Sequence, residues 1–113
     1  MVGIVQENNS KKFVLSYGKE EIGYLKFLEG QWIFTYSDWF KNQSRILPIL
    51  EFPEKHWVYK SKDLWSFFSS RIPSDKQPKR LELSTKKENQ NVAVLLELFG
   101  KQTVNNPFVL EPK

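Results

Sequence analysis

Three stretches of alternating apolar and polar residues near the start of the chain restrict its fold more than any other feature. They are KFVLSY at 12–17, IGYLKFL at 22–28 and QWIFTY at 31–36. Alternation with a period of two is typical of strands with one buried face. Gly18 and Gly30 lie in the short connections, where tight turns are expected. The sequence therefore predicts a three-stranded antiparallel meander, with Trp32, Phe34 and Tyr36 on one face of the last strand.

A short helix is predicted over residues 61–73, SKDLWSFFSSRIP. Ser61 can act as its N-cap and Asp63 places a carboxylate in the first turn, where the helix dipole favours it, while Pro73 disfavours any continuation. At about 100° per residue, four side chains share an inward arc and Trp65 lies at its border. The four are Leu64, Phe67, Phe68 and Ile72. Trp65 therefore has two interpretations, as the edge of the core or as an anchor for a partner.

The other segments predict short elements that complete an α+β fold. Ser37 can cap a helical turn over 38–40, and Thr85, with Glu88 or Asn89, can open a helix over 91–99. The rest comprises a flexible lead-in at 1–11, an edge or irregular strand at 46–52, a loop or brief extended piece at 54–60, a surface helix at 78–83 and a terminal strand at 104–110. We expect one domain over 12–113, with an antiparallel sheet of about five strands packed by two or three short helices.

The sequence shows no pattern for catalysis or metal binding. The chain has no cysteine and one histidine, His56, without the carboxylate spacing of a metal site. Ser66, Ser69 and Ser70 have no candidate base except His56, and no phosphate-binding glycine loop occurs. We therefore expect a protein that is not an enzyme and has no cofactor. The absence of cysteine and of a run of roughly 18 apolar residues favours a cytoplasmic protein without membrane contact.

A formal net charge of +4 raises the question of an acidic partner. The basic residues are spread along the chain with acidic residues between them, which favours an ordinary solvated surface over a phosphate-binding stripe. The aromatic residues of QWIFTY could stack on single-stranded bases, but they are also what a small meander needs to cover its core. The second interpretation is the stronger one.

An ordered series of residues over about 12–112 resembles the N-terminal subdomain of HipA-type toxin kinases. The family pattern is a Gly-x-Leu, a Phe-x-Tyr with a nearby Trp, an extended segment ending in proline, a helix with paired phenylalanines and a closing proline. The matching residues are Ile22, Gly23, Leu25, Gly30, Phe34, Tyr36, Trp39, Leu50, Pro53, Phe67, Phe68, Ile72, Pro73, Leu95, Leu96 and Gly100. Ile72 replaces the usual leucine, and Val-Asn-Asn at 104–106 replaces a common Val-Gly-Ala.

The catalytic residues of the kinase body have no counterpart in the chain, so the resemblance implies a free-standing subdomain similar to HipS of the three-part HipBST systems. There, HipS binds and inhibits the kinase HipT, and HipB supplies the helix-turn-helix contact with DNA. The resemblance thus implies a cytoplasmic antitoxin that binds a HipT-like serine/threonine kinase. It also implies a ternary complex with a HipB-like protein and no direct contact with DNA.

The resemblance further implies that Trp65 projects toward the kinase active site. Its candidate neighbours in the contact are Lys62, Asp63, Ser66, Ser69 and Arg71. Two alternatives remain open. One is an accessory subunit that activates or scaffolds the kinase, and the other is a module that binds single-stranded nucleic acid.

Overall fold

The computed structural model describes residues 10–73, 92–103 and 106–113, and in these ranges five strands form one antiparallel sheet in the order β4-β3-β2-β1-β5. The strands are β1 (Lys11–Tyr17), β2 (Glu20–Leu28), β3 (Gln31–Tyr36), β4 (Tyr59–Ser61) and β5 (Val109–Pro112). The described ranges also contain the helices α1 (Asp38–Lys41), α2 (Ser66–Ser69) and α3 (Val92–Phe99). The predicted α+β fold is confirmed.

The meander forms as predicted because its turns suit the twist of paired strands. Glu29 and Gly30 join β2 to β3, and both have positive φ angles, 52° and 78°, as a two-residue hairpin turn of the favoured hand requires. Gly23 of β2 is needed for packing, because a Cβ atom there would lie 2.7 Å from the Phe34 ring and from the Thr35 carbonyl oxygen.

One face of the sheet carries the core. Trp32, Phe34 and Tyr36 of β3 are 2%, 0% and 2% exposed, and the Phe34 ring stacks on Phe52 with centroids 4.4 Å apart. Phe68 of α2 packs against the same ring at 5.7 Å. The aromatic residues of β3 therefore cover the core, as the stronger interpretation predicted, and none of them is available to stack on bases.

The helix predicted over 61–73 is wrong in its first half. Ser61 belongs to β4, where it pairs with Trp32, and its Oγ accepts the N–H of Asp63 at 3.1 Å. Pairing with β3 satisfies backbone groups that a helix would otherwise use, so α2 begins only after Trp65, its N-cap residue. Two further backbone bonds extend the turn to Ile72, and the helical hydrogen bonding ends before Pro73, as predicted.

Other boundaries also differ from the predictions. Residues 46–52 form no strand, and the edge position beside β3 belongs to β4. The terminal strand predicted over 104–110 is observed as Val109–Pro112, with residues 104 and 105 outside the described ranges. Two predictions are confirmed: α3 falls within the helix predicted over 91–99, and Ser37 caps α1 by accepting the N–H of Phe40 at 3.1 Å.

Several predictions fall outside the described residues. They are most of the lead-in at 1–11, the helix at 78–83 and the capping residues Thr85, Glu88 and Asn89. Within the described ranges, no helix has the length and apolar character that a membrane span requires.

Candidate protein-binding surface

A tight turn over residues 49–52, here called the Leu50 turn, holds an apolar side chain in solvent. Ile49 and Phe52 are buried, whereas Leu50 between them is 96% exposed. The Phe52 N–H donates to the Ile49 carbonyl at 2.8 Å, which closes the turn. Because its two ends are anchored in the core, Leu50 is presented in a defined position.

Tyr36 fixes this turn from beneath. Its hydroxyl accepts the N–H of Ile49 at 2.9 Å and donates to the carbonyl of Phe52 at 2.7 Å. Burial raises the pKa of Tyr36 to about 12, because loss of the proton that the hydroxyl donates would leave a charge inside the domain. Both bonds are buried, where an unmade backbone hydrogen bond is costly.

An apolar groove of about 570 Å³ separates the Leu50 turn from α2. Leu47 at its rim is 77% exposed. The groove is lined by Leu47, Pro48, Ile49, Leu50, Glu51, Ser66, Phe67, Ser70, Asn106 and Phe108. Exposed large apolar side chains grouped around a concave surface mark sites of protein interaction more often than chance exposure does.

Glu51 ties the turn to α2. Trp65, the N-cap residue, provides no side-chain capping bond, and the Glu51 carboxylate accepts the Phe67 N–H at 2.7 Å instead. A carboxylate in this place satisfies a free N–H group and interacts favourably with the helix dipole. The turn and the helix are therefore held together as one surface.

Trp65 lies at the edge of this surface and is partly buried. Its indole meets the Phe52 ring edge to face, with centroids 4.9 Å apart. Contacts between rings continue from Phe52 to Tyr59 at 5.0 Å and from Tyr59 to Trp57 at 6.0 Å. Trp57 is 61% exposed, so this aromatic series runs from the partly buried Trp65 through the core to an exposed tryptophan.

The segment that carries Trp57 is fixed by a second tyrosine. The Tyr59 hydroxyl accepts the Glu54 N–H at 2.7 Å and donates to the Glu54 carbonyl at 3.1 Å. The backbone N–H of Trp57 donates to the same Glu54 carbonyl at 3.3 Å, which closes a turn over residues 54–57.

The structure separates the predicted site residues into two groups. Lys62 and Asp63 are exposed just before α2, Ser66 is exposed at the groove, and Ser69 is partly buried. These four residues lie near Trp65 in the chain, and they provide polar side chains beside the apolar surface. Arg71 differs, because it is 5% exposed.

The Arg71 guanidinium makes its bonds inside the domain. It donates to the carbonyls of Gly100, Lys101 and Phe108 at 3.1, 3.3 and 3.1 Å, and to Oδ1 of Asn106 at 3.2 Å. Burial lowers the pKa of Arg71 to about 10, which still leaves it charged at neutral pH. Arg71 therefore connects α2 to the segments after α3, and a partner could not reach it without breaking these bonds.

Reasoning from the sequence missed Leu47, Leu50 and Trp57. The signal in the sequence was the presence of Pro48 and Pro53 in the segment LPILEFP at 47–53. Proline disfavours a regular strand, so the apolar residues of such a segment are left without sheet partners. Which residues of this segment face solvent depends on the Tyr36 contacts, and these join parts of the chain that are distant in sequence. Trp57 lies outside the segment and is held through Tyr59 instead.

The fold and this surface define the class of protein as a small α+β domain that presents fixed apolar side chains beside a short helix. The family model of the HipA N-terminal domain matches residues 2–104, and the chain belongs to this family. A solved structure described as the N-terminal domain of HipA toxin is similar, with a TM-score of 0.63 and 17% identity over 91% of this chain and 92% of that chain. No curated protein sequence matches. The resemblance on which the sequence prediction rested is confirmed.

Proposed function

We propose that this protein is an antitoxin that binds a HipT-like serine/threonine kinase and inhibits it, without enzymatic activity of its own. Membership of the HipA N-terminal domain family supports a role connected with a toxin kinase. The observation that carries the proposal is the Leu50 turn, whose exposed leucine is fixed beside α2 by Tyr36 and Glu51. A surface already held in its binding conformation loses little entropy on association.

Trp65 acts in this proposal as the residue directed toward the kinase active site. Its contact with Phe52 supports the indole, which is partly buried and combines a large apolar ring with one N–H donor. Such residues dominate binding energy when a partner encloses them. The exposed polar side chains of Lys62, Asp63 and Ser66 would surround the contact as its rim, together with the partly buried Ser69.

The test is a kinase autophosphorylation assay combined with a binding measurement, using the full chain and a HipT-like kinase. Wild-type protein is expected to bind and to suppress phosphorylation. Trp65→Ala should weaken binding by about 2 kcal/mol or more, about 30-fold in Kd, and restore phosphorylation. Leu50→Asp should weaken binding because it places a charge in the apolar contact.

Matched substitutions elsewhere provide the controls. Trp39→Ala replaces a tryptophan that is 37% exposed on α1, and Leu28→Asp replaces a leucine that is 39% exposed at the end of β2. Both variants should inhibit like wild type. A kinase that does not associate with the chain would refute the proposal, and a rise in phosphorylation on addition of the chain would establish an activating subunit instead. If Trp65→Ala unfolds earlier but inhibits normally once folded, Trp65 belongs to the core edge alone.

A further inference from the structure

Four lysines that are distant in sequence form one row across the outer face of the sheet. Lys12 of β1 pairs with Lys26 of β2, and the row continues through Ile33 of β3 to Lys60 of β4. Lys113 extends it beyond β1, where its N–H donates to the Lys12 carbonyl at 2.8 Å. All four lysines are exposed. We call them the lysine row.

The charge of this row is not balanced locally. Within the described residues, none of the four lysines takes part in an ion pair. Glu111 of β5 stands on the same face, opposite Val14, and pairs with Lys101 at 3.7 Å, while Glu21 accepts the Tyr24 hydroxyl at 2.9 Å. Like charges directly opposite each other, as in the Lys12–Lys26 pair, destabilise a sheet. An anionic partner bound to this face would offset the repulsion between the lysines.

The shape of the face fits a long, regularly charged partner. Strands lie about 4.8 Å apart, so the row from Lys113 to Lys60 crosses four spacings, roughly 19 Å. Three of the lysines, Lys12, Lys26 and Lys113, surround a shallow depression of about 320 Å³ together with Tyr24 and Thr35. Unlike the groove beside α2, this depression is lined by no exposed leucine or tryptophan within the described residues.

We propose that the lysine row binds the phosphate backbone of duplex DNA without reading its sequence. A duplex carries one charge per about 1.7 Å of axis when both strands are counted, so roughly eleven phosphates fall within 19 Å, and those that face the sheet are available to the lysines. Lysine is depleted in protein interfaces but frequent in contacts with phosphate. An acidic protein is therefore the weaker candidate for this face.

Among the described residues, Tyr24 is the aromatic residue of this face that lines the depression, and its contacts argue against stacking on single-stranded bases. The Lys113 ammonium lies 5.7 Å from the centroid of the Tyr24 ring, and the Tyr24 hydroxyl is bonded to Glu21. Contact is thus expected with the backbone and not with bases. This binding differs from the single-stranded module considered from the sequence, which relied on the buried aromatic residues of β3, and it departs from the expectation of no direct DNA contact.

The proposal goes beyond inhibition of a kinase and is independent of it. The lysine row occupies the sheet face opposite the one covered by the Leu50 turn and α2. One molecule could therefore hold a kinase on one side and DNA on the other. Each activity can be lost without the other, so failure of one proposal is distinguishable from failure of the second.

The test measures binding of the full chain to a labelled duplex of about 20 base pairs by fluorescence anisotropy at several salt concentrations. Four phosphate contacts predict a slope of log K against log salt of about −3.6, equivalent to a loss of roughly 150-fold between about 50 and 200 mM salt. The double variant Lys12→Glu/Lys26→Glu should bind at least about tenfold more weakly, with a slope shallower by about 2. It should still associate with the kinase.

The matched control is Lys19→Glu/Arg45→Glu, which makes the same change in net charge at two exposed positions outside the row. This variant should bind the duplex nearly as well as wild type. Equal losses in both double variants would overturn the proposal, because net charge alone would then explain binding. Absence of duplex binding at low salt, tighter binding to a single strand of equal length, or displacement of the duplex by a polyglutamate peptide of matching charge would also overturn it.

Discussion

The two faces of the sheet are built from alternate residues of the same strands, yet they differ in almost every physical respect. On β3, Phe34 is completely buried beneath Phe52 and Phe68. On the same strand, Ile33 faces outward in the row of Lys26 and Lys60. The first face carries most of the apolar burial that stabilises the fold. The second contributes little stability, and it can therefore hold like charges at a cost of only about 1 kcal/mol.

The largest effect on stability should come from substitutions on the sheet face that α2 and the Leu50 turn cover. Phe68→Ala removes a fully buried ring that touches Phe34 and Phe52, and it should reduce the free energy of unfolding by about 3–5 kcal/mol. Phe67→Ala in the same helix removes a partly buried ring beside the groove and should cost about 1–2 kcal/mol. Urea denaturation measures both. Equal losses would show that α2 does not have one buried and one accessible side.

A smaller effect is expected when only a hydroxyl is removed. Tyr36→Phe leaves the Ile49 N–H and the Phe52 carbonyl without their buried partner, so it should cost about 1–3 kcal/mol and weaken binding of the kinase. Tyr24→Phe removes a hydroxyl bonded to Glu21 on the outer face, and its cost should stay within about 0.5 kcal/mol. If the two variants were equally stable, the Leu50 turn would not depend on Tyr36.

Tyr36→Phe also tests the buried hydroxyl by the pH dependence of stability. Burial raises the pKa of folded Tyr36 from 10 to about 12, so between these values the unfolded chain loses a proton that the folded chain keeps. Stability from this group is complete below pH 10 and is lost as pH rises toward 12. Wild type should therefore lose stability over this window more steeply than Tyr36→Phe. Arg71, whose lowered pKa acts in the opposite direction, is present in both proteins and does not affect the difference.

The smallest effect should have the opposite sign. Lys26→Glu places a carboxylate directly opposite Lys12, in the same row as Lys60. It should increase the free energy of unfolding by about 0.2–1 kcal/mol. The gain should shrink at high salt because both groups are exposed, and Lys19→Glu in the turn should give none. A loss of stability in Lys26→Glu would mean that the lysines do not repel one another.

Much of the fold was predictable because its signals are local. The meander follows from alternation in three adjacent stretches, and Ser37 was identified as an N-cap from its place before a short helical segment. The helix over 61–73 was mispredicted for a reason that local patterns cannot supply: Ser61 pairs with Trp32, 29 positions earlier in the chain. The same limit applies to Arg71, whose hydrogen-bond partners begin at Gly100.

The sequence by itself determined which residues alternate, where the short turns fall and which family pattern the chain follows. Those features depend on bond geometry and on neighbours within a few residues. The tertiary structure decided which apolar residues stay in solvent and which lysines meet. Leu50 is exposed because Tyr36 fixes the turn around it, and the lysine row exists because strand register brings Lys12, Lys26 and Lys60 side by side. Both are consequences of long-range pairing, which sets surfaces that no local stretch of sequence encodes.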